Sequence, residues 1–319
     1  MVFQIMFLIF GLVLLVKGAD WLVSGASSLA KRHHMSDLAI GLTIVAFGTS
    51  APEMVVNVIA SWQGHQEIVF GNVIGSNNFN LFFILGITGL IRPIVVQSST
   101  VWKEIPISLL AAILLFVFTN DFFRADSVFI LNRLEGIILL LCFGFFLFYV
   151  YRQLKTDPAV TRMEFKDYSN LKIWSLITIG LAGLVIGGRL VVINAVEMAT
   201  TLGVSEKIIG LTIIAAGTSL PELATSLVAA LKGKNDIAVG NIIGSNIFNI
   251  FLILSVSALV RPVPYELVFN MDIFMLIVGT LFLFAAMFTS KKEKLDRWEA
   301  GVLLFSFVFY TVWLVGKEI

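Results

Sequence analysis

The sequence predicts an all-α polytopic membrane protein of ten transmembrane helices, arranged as two inverted five-helix repeats. Three observations carry that expectation. Of 319 residues, 58% are apolar and only 13% charged, against about a quarter charged in soluble domains. Ten apolar runs approach or exceed the ~18 residues of a membrane-spanning helix, and the two halves of the chain repeat each other at a constant offset of 169 residues.

The first run, 2–24, has no basic leader and no small-residue cleavage site, so it reads as a retained helix rather than a signal peptide. Run 38–62 is apolar yet carries Pro52 and Glu53 in its middle. Run 68–91 contains Gly71 and Gly75, a spacing that lets helices approach closely. Runs 104–120 and 128–151 complete a first repeat, 1–151, and the polar stretch 152–171 is a cytoplasmic linker. The second repeat, 172–319, restates the order with runs 172–196, 208–231, 237–260, 268–289 and 297–316, and Gly240 and Gly244 reproduce the glycine pair.

Lys and Arg collect in cytoplasmic loops. Fifteen of them, including Lys31, Arg92, Arg152, Arg162, Lys232, Lys291 and Lys292, fall on the linker side, whereas Arg124, Arg133, Lys207, Arg261 and Lys317 fall on the other. Both termini are therefore expected outside the cytoplasm, in a multi-pass protein of the inner cell membrane. A single cysteine, Cys142, excludes an intrachain disulfide and a cysteine metal cluster. A net charge of +1 argues against a nucleic-acid partner.

The repeat is specific. "GLTIVAFGTSAPE" at 41–53 matches "GLTIIAAGTSLPE" at 210–222, and "GNVIGSNNFNLFFIL" at 71–85 matches "GNIIGSNIFNIFLIL" at 240–254. Between Gly41–Pro93 and Gly210–Pro262, 27 of 53 positions are identical without a gap. An odd number of helices per copy inverts the second copy. Inverted repeats are an architecture of secondary transporters, which bind substrate near the bilayer midplane between interrupted helices.

Glu53 and Glu222 each sit near the middle of an apolar run, where a charge costs at least about 2.5–3.5 kcal/mol unless compensated. No basic residue in the second, third, seventh or eighth run lies near them, which leaves a bound cation as the simplest partner. Pro52 and Pro221, read as helix-interior prolines, would free the carbonyls of Gly48 and Gly217. Helical spacing aligns Thr49, Glu53 and Asn57 in one copy and Thr218, Glu222 and Ser226 in the other. The next helices repeat the pattern with Asn72, Ser76 and Asn80, and with Asn241, Ser245 and Asn249. Donors that are all oxygen suit Ca²⁺ or Na⁺ rather than zinc or copper. A proline or a Gly-x-x-x-Gly alone is a packing feature, but two acids within matching oxygen stripes have no cheap structural explanation. Lys17, Asp20, Arg189, Asn194 and Glu197 read as interfacial or inter-helix contacts.

The blocks 41–93 and 210–262 resemble the two alpha repeats of the sodium/calcium exchangers, prokaryotic members of the calcium/cation antiporter superfamily. The resemblance implies a core of helices two, three, seven and eight, across which long helices one and six slide. It implies Ca²⁺ held by Glu53 and Glu222 with Thr49 and Thr218. It also implies sodium sites that draw on Ser50, Ser76, Ser219, Ser245 and the carbonyls of Ala46 and Ala215. Asn80 and Asn249 close each "GSNxFN" and are expected to face one another across the repeat axis. Potassium-dependent relatives carry Asp where Asn249 stands, so Na⁺ is the expected counter-ion, with proton- or potassium-coupled antiport as the alternative.

Charge counting favours exchange over a channel. One Ca²⁺ or two Na⁺ neutralise the two carboxylates, while an empty site leaves two buried anions unpaired at a cost of several kcal/mol. An intramembrane hydrolase would need acids sharing a proton about 3 Å apart and a substrate cleft. The expectation is thus a Ca²⁺/Na⁺ antiporter that works by alternating access. It should be no enzyme, need no cofactor, sit in the lipid bilayer and function as a monomer.

Overall fold

A computed structural model describes residues 2–33, 35–120, 129–156, 168–203, 215–289 and 293–318. The expectations for 157–167 and 208–214, and for Arg124, Arg162, Lys207, Lys291 and Lys292, lie outside the described residues.

The first half comprises α1 (Val2–Arg32), α2 (Asp37–Thr49), α3 (Ala51–Gln63), α4 (Ile68–Ile91), α5 (Thr100–Thr119) and α6 (Arg133–Thr156). The second comprises α7 (Asn170–Thr201), a short turn Ala215–Gly217, α8 (Leu220–Leu231), α9 (Asn235–Val260), α10 (Leu267–Ala286) and α11 (Arg297–Glu318). Among the described residues, seven helices are long and apolar enough to cross a bilayer, and α2 with α3 is a further span bent by 47°. The protein is an all-helical, multi-pass membrane protein.

Helices α1 and α7 have 31 and 32 residues and overrun the apolar stretches 2–24 and 172–196. The added turns of α1 bury Ala26, Leu29 and Ala30, so tertiary packing sustains the helix where hydropathy has already fallen. Burial divides the bundle into layers. The most apolar windows of α9 and α4 are 83% and 72% buried, against 28% in α1 and α10. Helices α4 and α9 therefore form the centre, with Phe70, Ile74, Phe251 and Leu254 in its core.

Glycine brings α1 and α7 together. A Cβ on Gly18 would lie 2.8 Å from Gly180 O, and one on Gly187 would lie 2.8 Å from Gly11 O. Only glycine permits this backbone approach, the small-residue packing that joins helices within lipid.

The two halves also exchange ties at their ends. Strand β1 (Ile94–Val95) pairs antiparallel with β4 (Lys294–Leu295), and β2 (Ile130–Leu131) pairs with β3 (Val263–Pro264). Gly64 (φ 84°) and Gly233 (φ 76°) follow α3 and α8 in the left-handed region that favours glycine. Arg92 Nη1 donates to Ala230 O (3.2 Å) and Leu231 O (3.3 Å) at the end of α8. The guanidinium of Arg261 lies over Gly64, where a Cβ would sit 2.5 Å from its Nη1. Tyr149 ties α6 to the buried Glu104 of α5, and Tyr310 OH ties α11 to Asp272 Oδ1 of α10 at 2.7 Å.

Candidate functional site

The site forms where two helices are interrupted. Ser50 (φ −84°, ψ 3°) separates α2 from α3, and Ser219 (φ −91°, ψ 7°) separates the turn Ala215–Gly217 from α8. Pro52 and Pro221 lie in the first turn of α3 and α8, not inside a continuous helix as the sequence suggested. The first turn tolerates proline because its N–H groups have no intrahelical acceptor. This correction changes the electrostatics of the acids. Glu53 and Glu222 occupy helix N-termini, where the helix dipole favours a carboxylate by up to about 2 kcal/mol in partly buried geometry.

Each carboxylate is served from the other half of the chain. Ser50 Oγ donates to Glu222 Oε1 (2.9 Å) and lies 2.9 Å from Ser245 Oγ. Ser219 Oγ donates to Glu53 Oε1 (3.2 Å) and lies 3.0 Å from Ser76 Oγ. A hydroxyl has one proton, so Ser245 and Ser76 donate to the serines that serve the acids. Thr49 Oγ1 donates to Asn241 Oδ1 (3.0 Å), and Thr218 Oγ1 donates to Asn72 Oδ1 (3.1 Å). Asn241 Nδ2 continues to Ser226 Oγ at 3.0 Å.

Glu53 and Glu222 are each 1% exposed. Their Oε2 atoms, with Asn57 Oδ1, Asn80 Oδ1 and Asn249 Oδ1, are buried without a hydrogen-bond partner. Native structures rarely leave such groups unpaired. Two carboxylate oxygens among these acceptors suit a hard cation.

Eight of the expected site residues converge in this way: Glu53, Glu222, Ser50, Ser219, Ser76, Ser245, Thr49 and Thr218. The carbonyl of Ala46 already accepts Ser50 N (3.0 Å) and lies 3.3 Å from Thr49 Oγ1, and Ala215 opens the turn before α8. Asn80 and Asn249 do not meet. Asn80 Nδ2 donates to Asn246 Oδ1 (3.0 Å), and Asn249 Nδ2 donates to Asn77 Oδ1 (2.9 Å). Each amide is instead bonded to an asparagine of the other repeat, and the π-helical turns Phe79–Ile84 and Asn249–Leu254 begin at or next to these two positions.

Sequence spacing missed Asn77 and Asn246, which fall between stripe positions. The available signal was their identity in both copies of "GSNxFN". Of the contacts expected away from the site, Lys232 Nζ lies 2.7 Å from Asp20 Oδ1, Gln4 Nε2 donates to Glu197 Oε2 (3.2 Å) and Asn194 Nδ2 donates to Leu190 O (2.7 Å). Arg189 lines a gap of ≈ 610 Å³ between α3 and α7, with Pro52, Val56, Val192, Thr218 and Pro221.

Comparison with known proteins agrees with this geometry. The family model described as sodium/calcium exchanger protein matches residues 3–152 and 172–316. The putative antiporter CaxA of Alkalimonas amylolytica is 40% identical over 313 residues, covering 95% of this chain and 96% of its own. The sodium/calcium exchanger MaX1 of Methanosarcina acetivorans is 33% identical, covering 97% and 96%. Among solved structures, the sodium-calcium exchanger NCX_Mj superposes with a TM-score of 0.82 at 31% identity, covering 97% of both chains.

Proposed function

The chain belongs to the sodium/calcium exchanger family, and from that premise we propose that it exchanges Ca²⁺ for Na⁺ by alternating access at a midplane site between Glu53 and Glu222. One observation carries the reading. Two buried glutamates from equivalent positions each receive a serine hydroxyl from the opposite broken helix, and each keeps one oxygen free for a cation.

In this reading the chain forms ten spans in two inverted repeats, 1–151 and 172–319, joined by the cytoplasmic linker, with both termini outside the inner cell membrane. Ca²⁺ takes the free Oε2 atoms together with Thr49 and Thr218. Na⁺ takes positions served by Ser50, Ser76, Ser219 and Ser245, with the carbonyls of Ala46 and Ala215 and the amides of Asn80 and Asn249 at the flanks. One Ca²⁺ or two Na⁺ balance the two carboxylates, and the unloaded site carries a penalty of several kcal/mol against rearrangement. Exchange follows from that difference, and a single protomer contains the whole site.

The gap between α3 and α7 supports a state in which the outer half of α7 stands away from the site. The test is ⁴⁵Ca²⁺ uptake into proteoliposomes loaded in turn with Na⁺, K⁺ or a proton gradient. Uptake driven by Na⁺ alone is the expected result. A strict requirement for K⁺, or uptake driven only by the proton gradient, would sink the sodium assignment.

A further inference from the structure

Two backbone carbonyls determine which way four buried amides point. Asn77 Nδ2 donates to Asn246 O, and Asn246 Nδ2 donates to Asn77 O, both at 3.3 Å. A carbonyl can only accept, so each of these side chains must place its nitrogen there. Their Oδ1 atoms are then left facing the neighbouring amides, which must answer with nitrogen: Asn249 Nδ2 to Asn77 Oδ1, and Asn80 Nδ2 to Asn246 Oδ1. The remaining ends of Asn80 and Asn249 are therefore oxygen. Both Oδ1 atoms lack a hydrogen-bond partner, and both residues are 1% exposed.

We propose that Asn77 and Asn246 are positioning residues that hold Asn249 and Asn80 with oxygen, not N–H, facing the cation pathway. The inference rests on the exchange reading. It adds the device that keeps two neutral amides from presenting donors to a cation: without its acceptor, an amide turns over and offers a positive N–H edge. The control is crossed. Asn77 governs Asn249 on the opposite helix, not Asn80, which lies three residues along its own chain.

Double-mutant cycles separate this from a packing role, because an aspartate presents oxygen in either orientation. The substitutions are Asn77→Leu and Asn246→Leu, each alone and combined with Asn249→Asp or Asn80→Asp. Sodium affinity is read by titration calorimetry on purified protein, with Na⁺-driven ⁴⁵Ca²⁺ exchange measured in parallel. Asn77→Leu should weaken sodium binding by roughly three- to tenfold, the range of one net hydrogen bond. That penalty should vanish in the Asn249→Asp background and persist in Asn80→Asp, with the reverse pattern for Asn246→Leu. Equal penalties in both backgrounds, or coupling of Asn77 to Asn80, would overturn the proposal. Should a leucine variant elute as aggregate, Asn77→Ser and Asn246→Ser run the same cycle. Crossed coupling in binding without sodium-driven exchange would leave the inference standing and overturn the exchange reading alone.

Discussion

The face between α1 and α8 is closed, and the matching face between α7 and α3 is open. On the closed face, Lys232 Nζ reaches Asp20 Oδ1 (2.7 Å), Asp20 O (3.0 Å) and Ser24 Oγ (2.9 Å). Thr225 is fully buried there. Its counterpart at the 169-residue offset, Val56, is 38% exposed and lines the gap. The same offset carries Asp20 to Arg189, Ser24 to Ile193, and Gln63 to Lys232. The open face thus lacks the acid, the hydroxyl and the lysine that bind the closed one. Near-identical motifs thus pack differently in the two halves, and the residues that flank them differ.

The largest expected effect removes the centre that both faces share. Glu53→Gln or Glu222→Gln keeps the volume and deletes a charge, and should weaken calcium binding by more than about 100-fold, as the ~3 kcal/mol or more for breaking a buried charge group implies. Near-normal affinity in calorimetry would remove that residue from the site.

A cross-link attacks the comparison directly. Cysteines at Val55 and Val192, on opposite walls of the gap, in a background with Cys142 replaced, should join only when α7 closes on α3. Exchange should then stop until the bond is reduced. Rapid, ion-independent cross-linking with full activity would show that the two faces do not alternate.

Gly18→Leu tests whether α1 and α7 behave as one body. Its Cβ would meet Gly180 O and Leu184 N, each at 2.8 Å, and backbone atoms yield less than side chains. A loss of about 1–3 kcal/mol in stability is expected from overpacking, read as an earlier thermal transition. An unchanged transition with normal exchange would show that the seam tolerates separation.

The smallest effect belongs to the ion pair. Lys232 and Asp20 side chains are 32% and 45% exposed, so solvent screens them and the pair contributes ~0–1 kcal/mol. Lys232→Gln should shift the closed-to-open ratio by no more than about fivefold. Installing the mirror pair by Arg189→Asp with Gln63→Lys should shift it the opposite way. Accessibility of a cysteine at Val56 to a polar thiol reagent reads both shifts, and shifts of the same sign would sink the latch.

Much of the site was legible in the chain because the repeat aligned it. Glu53 with Glu222, Ser50 with Ser219 and Ser76 with Ser245 share one offset, and apolar surroundings leave buried acids few roles. The partners of Asn80 and Asn249 were not legible, because Asn246 and Asn77 fall between the stripe positions and reach them only across the two repeats. Pro52 was legible as a disruption but not as a helix start, since that depends on where the preceding helix stops.

By itself, the sequence determined composition, repeat and ligand chemistry: an apolar chain, an offset of 169 residues and an all-oxygen set around two glutamates. These are local or periodic properties, carried by residue type and spacing. Tertiary structure alone decided the partnerships. Which serine serves which glutamate, which amide turns its oxygen inward, and which face closes all depend on contacts between residues 143 to 212 positions apart. Such contacts follow from how the helices of the two halves pack, because each buried donor must find the acceptor that packing brings within reach.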